Sequence, residues 1–199
     1  MKLISKTLII TLIFGSFIAF ATNSFANGHE PIWELQKDQS SISFFSVKKG
    51  SIGEVHSFVD FSGNIDHNKA DINIETATVD MLIPIRNERA VEHLFKSKLF
   101  PTINIKSDVR SAIENAKEGL TTMAEVPATL SMNGITKEVT LSVSVTLSGP
   151  DSITVSSAKP VIISAVDYGM DAGIAKLGEL ASVDIATSVP VNFVMTFKK

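Results

Sequence analysis

The 199-residue chain contains no cysteine. That absence removes disulfide bonds, thiolate metal sites and thiol nucleophiles together, and leaves stability to the core and to backbone ladders. Histidine is scarce. His29, His56, His67 and His93 are the only four, and none is spaced to put two on one helix or strand face, so zincin and zinc-finger patterns are absent. No Gly-x-Ser-x-Gly elbow presents a serine nucleophile. The glycines from Gly169 to Gly178 fit neither the Walker loop nor the dinucleotide fingerprint, and read as loop and turn residues. Glu88 and Glu92 stand one helical turn apart, but with Arg86 and Arg89 beside them they read as the solvated, neutralised flank of a short helix. The expectation is a protein that is not an enzyme, with no catalytic residues, no metal and no cofactor.

Positive charge is also limited. The formal net charge is −3, and an acidic domain lacks the basic footprint of a general nucleic-acid binder. The first 26 residues read as a cleavable export signal: Lys2 and Lys6, an apolar run from Leu8 to Ala21, then Ser24-Phe25-Ala26 with cleavage after Ala26. A membrane span needs about 20 predominantly apolar residues, and this run is shorter and carries Thr, Ser and Gly, so no stable span is expected. Removing the signal takes away Lys2 and Lys6 and lowers the net charge to −5. Residues 27–199 then form one exported domain with a periplasmic location, long enough to bury a core without disulfides.

What the chain does have is alternation. From Val139 to Leu147 the odd positions are Val or Leu and the even ones Thr or Ser, and from Val183 to Phe197 the odd positions are apolar except Thr187. Period two of this length belongs to antiparallel sheet with one wet face. Weaker versions occur at Ile42-Phe44, Ile72-Ile74, Ile103-Ile105, Ala124 to Met132 and Ile153 to Val166. Turn residues separate them, and Asn133-Gly134 has the pair that suits a type I′ hairpin. One stretch, Pro84 to Phe100, switches to helical spacing; Asn87 is its expected N-cap and Pro101 its stop. A further turn of helix at Ala172 to Leu180 is weakened by its glycines. The fold expected is mainly β: an antiparallel eight-stranded barrel with one short α-helix inserted.

Phe44, Phe45, Phe58, Phe61, Phe95, Phe100, Phe193 and Phe197 exceed what turns and surface carry. They either fill the core or line a lumen for an apolar tail. Basic residues gather at Lys48-Lys49, Arg86, Arg89, Lys96 and Lys98, where an anionic group would find partners.

The order of four segments resembles the YceI-like family of exported bacterial proteins: Trp33-Glu34-Leu35 with Ser40-Ser41-Ile42-Ser43-Phe44; Phe58 with Phe61-Ser62-Gly63; Arg86 to Phe95 ending at Phe100-Pro101; and Leu130 to Lys137. The similarity runs from Trp33 to Phe197. Ser40, Lys49 and the stretch Ala165 to Met170 depart from the family's usual residues. The resemblance implies a lipocalin-like barrel that binds a polyisoprenoid or related apolar lipid, such as a quinone-like molecule. On that reading Ile42, Phe44, Phe58, Phe61, Phe95, Ile103, Leu130, Leu141 and Tyr168 meet the tail, and Lys48 and Arg86 meet the head. The rival reading is a stress-related or partner-binding protein whose barrel is filled. Oligomeric state is open, with a homodimer among the options.

Overall fold

The computed structural model describes residues 32–199; the expected export signal and His29 lie outside the described residues. Twelve antiparallel segments join end to end as eight strands. These are β1 (Trp33–Leu35 and Ser41–Lys48), β2 (Ile52–Phe58 and Phe61–Asp66), β3 (Lys69–Glu75 and Val79–Asp80), β4 (Thr102–Asp108), β5 (Thr121–Met132), β6 (Ile135–Leu147), β7 (Ser152–Ser157 and Val161–Ser164) and β8 (Ser188–Lys198).

Each strand pairs with its neighbour in sequence, and the last returns to the first. Leu35 faces Phe197 and Phe44 faces Val191 across the β1–β8 seam, while β7 occupies the other edge of β8. The result is a closed up-and-down barrel, which leaves no exposed edge to guard. The expected fold class holds, with the alternation of β6 and β8 as its clearest sequence signal. Strand β8 starts later than the alternation suggested, at Ser188, because Ser182 takes a left-handed conformation (φ 53°) and the Val183 amide still bonds back to Gly178 at 3.0 Å.

The breaks inside strands are stitched by side chains. Between the two parts of β1, Ser40 donates its hydroxyl to the Gln36 carbonyl at 2.7 Å and accepts the Thr196 amide at 3.0 Å, so a serine carries the ladder across the interruption. At the β2 break, Thr78 accepts the Asp60 amide at 3.0 Å. Asn133 (φ 52°) and Gly134 (φ 78°) make the two-residue turn between Met132 and Ile135, as their positive-φ tolerance required.

Among the described residues three short α-helices decorate the barrel: the one expected, the weaker turn read at Ala172 to Leu180, and a third that was not foreseen. At the top, where β1 turns into β2 and β5 into β6, lie α1 (Pro84–Arg89), continued by a π-helical turn (Ala90–Leu94), and α3 (Asp171–Ala181). At the bottom α2 (Arg110–Glu114) follows β4. Helix α1 starts three residues before the expected cap. Pro84 opens it, and the Asn87 side chain instead accepts the Met81 amide at 2.7 Å. Nor do its arginines neutralise Glu88 and Glu92: Arg86 reaches Glu54 on β2, and Arg89 donates to the Leu180 carbonyl at 3.4 Å.

The glycine that weakened the case for α3 is what seats it. A Cβ built on Gly173 would stand 2.6 Å from the His93 carbonyl oxygen and 2.9 Å from Leu94 Cα, both backbone atoms that cannot yield cheaply. In an open helix Gly→Ala gains about 1 kcal/mol. Here the clash reverses the sign: Gly173→Ala should cost about 1–3 kcal/mol by overpacking, read as a lower denaturant midpoint at unchanged slope.

Candidate functional site

The inward faces of the strands enclose a cavity with about 220 Å³ open to the centre of a water-sized sphere. It runs the length of the barrel. Leu94, Phe95, Met170 and Ile174 bound it near the top, and Val109, Ala112 and Ile113 near the bottom. Its wall is hydrocarbon apart from Ser107, whose hydroxyl is spent on the Pro127 carbonyl at 2.8 Å. Such a space offers no partners to water, which needs two or more, and attracts a molecule that needs none.

The period-two rule explains the wall. In β6, Val139, Leu141, Val143 and Val145 point inward, and in β8 Val189, Val191, Phe193, Met195 and Phe197 do the same. Of the nine residues expected against a tail, Ile42, Phe44, Phe58, Phe95, Ile103, Leu130 and Leu141 stand in this wall. Phe61 and Tyr168 do not reach it, although both are buried. Phe61 starts the second part of β2 just after its break and packs opposite Ile74. Tyr168 closes a short 3-10 turn whose first residue, Ala165, takes a wall position together with Met170 just beyond the turn, and burial raises its phenol above the usual range, with the Asp167 charge adding to it.

Apart from Phe95, sequence reasoning missed the residues at the ends of the cavity. Met170 and Ile174 are four residues apart across the start of α3, a helical spacing that was there to be read; Ala112 and Ile113 belong to a five-residue helix with no periodic signal.

Lys48 and Arg86, the expected head-group cations, lie together at the top, but on a carboxylate. Lys48 donates to Glu54 at 2.7 Å and Arg86 at 3.2 Å, all three side chains being about a quarter to a third exposed. The bonds from Lys48 and then Arg86 hold the Glu54 carboxyl below its ordinary value against the opposing effect of burial. Beside them His56 is 2% exposed, with Nε2 2.8 Å from the Ser46 hydroxyl oxygen. Burial is the main cause that pushes its pKa below 6.5.

A depressed histidine destabilises the fold in acid, since the unfolded chain takes up the proton first. Stability from a neutral His56 is complete above about pH 6.5 and is lost as the pH falls from there toward the folded-state value. Thermal midpoints measured from pH 8 to pH 5 should therefore decline below about 6.5, and His56→Phe should flatten that decline. The same slope in the variant would assign the acid sensitivity to other groups.

Among the described residues no group of histidines and carboxylates is placed to hold a metal ion, and no helix is long and apolar enough to cross a membrane. No curated protein matches the sequence. A solved structure of a polyisoprenoid binding domain from Saccharophagus degradans, implicated in plant cell wall breakdown, is 30% identical with a TM-score of 0.80, over 83% of this chain and 97% of that one. BcnA of Burkholderia cenocepacia shares the fold at 20% identity and a TM-score of 0.62, over 81% and 98%. The YCEI protein of Campylobacter jejuni shares it at 18% and 0.50, over 73% and 88%. The model of the YceI-like domain matches residues 33–197, and with the same barrel at 30% identity beside it, this chain belongs to the YceI-like family.

Proposed function

We propose that this protein is an exported, periplasmic carrier that holds an apolar lipid, a polyisoprenoid or quinone-like molecule, in the barrel lumen. It acts by binding, not by covalent chemistry. The observation that carries the reading is the apolar wall of the cavity, broken only by Ser107, from Ile174 at one end to Ile113 at the other. A filled barrel with a working outer surface, the rival reading, has no need of such a space. The relative at 30% identity, a polyisoprenoid binding domain, supports the same ligand class. The periplasmic location rests on residues 1–26, read as a signal that is removed to leave the domain 27–199.

The energetics are sufficient. About ten methylene equivalents leaving water at about 0.8 kcal/mol each give about 8 kcal/mol gross. That corresponds to about micromolar affinity before ordering costs are deducted.

Filling the lumen tests the reading. Val143 lies in the β6 wall at 3% exposure, and Val143→Trp places an indole where the tail would run. Uptake of a fluorescent polyprenol by the mature protein should fall by about tenfold or more while circular dichroism stays native, a loss equivalent to about 1.4 kcal/mol. Uptake equal to the unaltered protein would place the ligand elsewhere, and an unaltered protein that takes up no polyprenol would remove the carrier reading. The exported protein should begin at Asn27 by intact mass.

A further inference from the structure

The inward face of the barrel does not end where the cavity wall ends. Continuing the two-residue rhythm of Ile42 and Phe44 along β1 gives Ser46 and Lys48; continuing backward from Phe58 along β2 gives His56 and Glu54. The register sets Phe44 opposite His56 and Ser46 opposite Glu54. A polar step therefore stands directly on the top of a hydrocarbon lumen.

Aromatic rings connect the two. The His56 imidazole lies 5.2 Å from the Phe44 ring, Phe44 lies 5.5 Å from Phe58, and Phe58 lies 5.4 Å from Phe95. The three phenyl rings belong to the cavity wall, so His56 is the polar end of a row that follows it.

One atom of this step is unsatisfied. His56 Nδ1 is buried and has no hydrogen-bond partner among the described residues, while Nε2 is engaged by Ser46. A buried polar atom left unpaired is costly, and its place behind Phe44, a ring of the cavity wall, points to a partner that arrives with the ligand. In a neutral imidazole one nitrogen donates and the other accepts, and the Ser46 hydroxyl can rotate to suit either tautomer. Nδ1 is thus able to donate to a carbonyl or to accept from a hydroxyl.

The surrounding charge selects the kind of oxygen. The charges acting on His56 are Glu54 and Asp80 against Lys48 and Arg86, two of each sign. Lys48 and Arg86 are both already held by Glu54. A phosphate entering this balanced set would bring about two negative charges to a pair of cations already held by Glu54, whereas a neutral head leaves the balance intact.

We propose that His56 is the hydrogen-bonding anchor for the ligand's head, and that this head is a neutral carbonyl or hydroxyl oxygen at the end of the apolar tail. The assignment deepens the carrier reading and rests on it. It replaces the two cations as the principal head contact, and gives them the task of holding Glu54 and the top of β1 and β2 in place.

Three probes with one tail test it: a polyprenol, the matching hydrocarbon without oxygen, and the matching polyprenyl phosphate, each titrated into the mature protein and into His56→Phe. The unaltered protein should bind the alcohol about tenfold more tightly than the hydrocarbon and more tightly than the phosphate, the increment of one hydrogen bond to a buried atom. His56→Phe should bind alcohol and hydrocarbon alike, at the hydrocarbon affinity of the unaltered protein. A retained preference in the variant, an equal loss for both lipids, or tighter binding of the phosphate overturns the assignment while leaving the carrier reading in place. Binding of none of the three by the unaltered protein removes both. Nitrogen NMR of the unaltered protein gives an answer independent of the variant's folding: the His56 Nδ1 resonance should move on adding the alcohol and stay on adding the hydrocarbon, and an unmoved resonance with the alcohol bound overturns the proposal.

Discussion

Everything in this molecule depends on the pairing of β8 with β1. A sheet with one hydrocarbon face must hide both that face and its two edges from water, and without cysteine no crosslink is present to help. Closing Leu35 onto Phe197 and Phe44 onto Val191 does both at once. Closure also fixes the radius, since eight tilted strands leave an interior just wide enough for side chains or one small ligand. With valines and isoleucines supplying much of the wall, opposing side chains do not close the space between them, and the barrel keeps a hollow.

The hollow then sets what the ends must be. Strands alone would leave its apolar lining open to water, so each end is covered by a short helix. At the top, the cover depends on contact between α3 and the π-helical turn, close enough that Gly173 admits no side chain. At the bottom, Ala112 and Ile113 of α2 do the same with two side chains. The top differs from the bottom in one chemical respect: the inward rhythm of β1 and β2 changes there from Phe44 and Phe58 to Ser46, Lys48, Glu54 and His56. A polar step set beyond the Phe44 and Phe58 end of an apolar lumen gives the barrel the polarity of a lipid.

Much of this was legible in the sequence, and the parts that were not share a cause. Alternation in β6 and β8 gave the class of fold, because period two is a local property that each strand carries in its own residues. The turn at Asn133-Gly134 was legible for the same reason. The helical caps were legible in part: α2 is too short to show a period, and the turn read at Ala172 to Leu180 was weakened by glycines whose purpose, close approach to His93 and Leu94, is a tertiary fact. Of the residues expected against a tail, those on strands reach the cavity wall by strand rhythm and Phe95 from the end of the π-helical turn, whereas Phe61 lies just past a break and Tyr168 in a 3-10 turn, where rhythm no longer says which way a side chain points. His56 was passed over since a lone histidine has no pattern. Its significance comes from Ser46 and Phe44 across a strand pair that the sequence does not display.

The most direct measurement is native mass spectrometry of the protein purified from its native cells, followed by organic extraction and identification of what is released. A carrier yields a stoichiometric complex with an apolar, oxygen-headed lipid. Protein that emerges bare, and stays bare when offered polyprenyl and quinone-like lipids, would contradict a ligand-holding lumen.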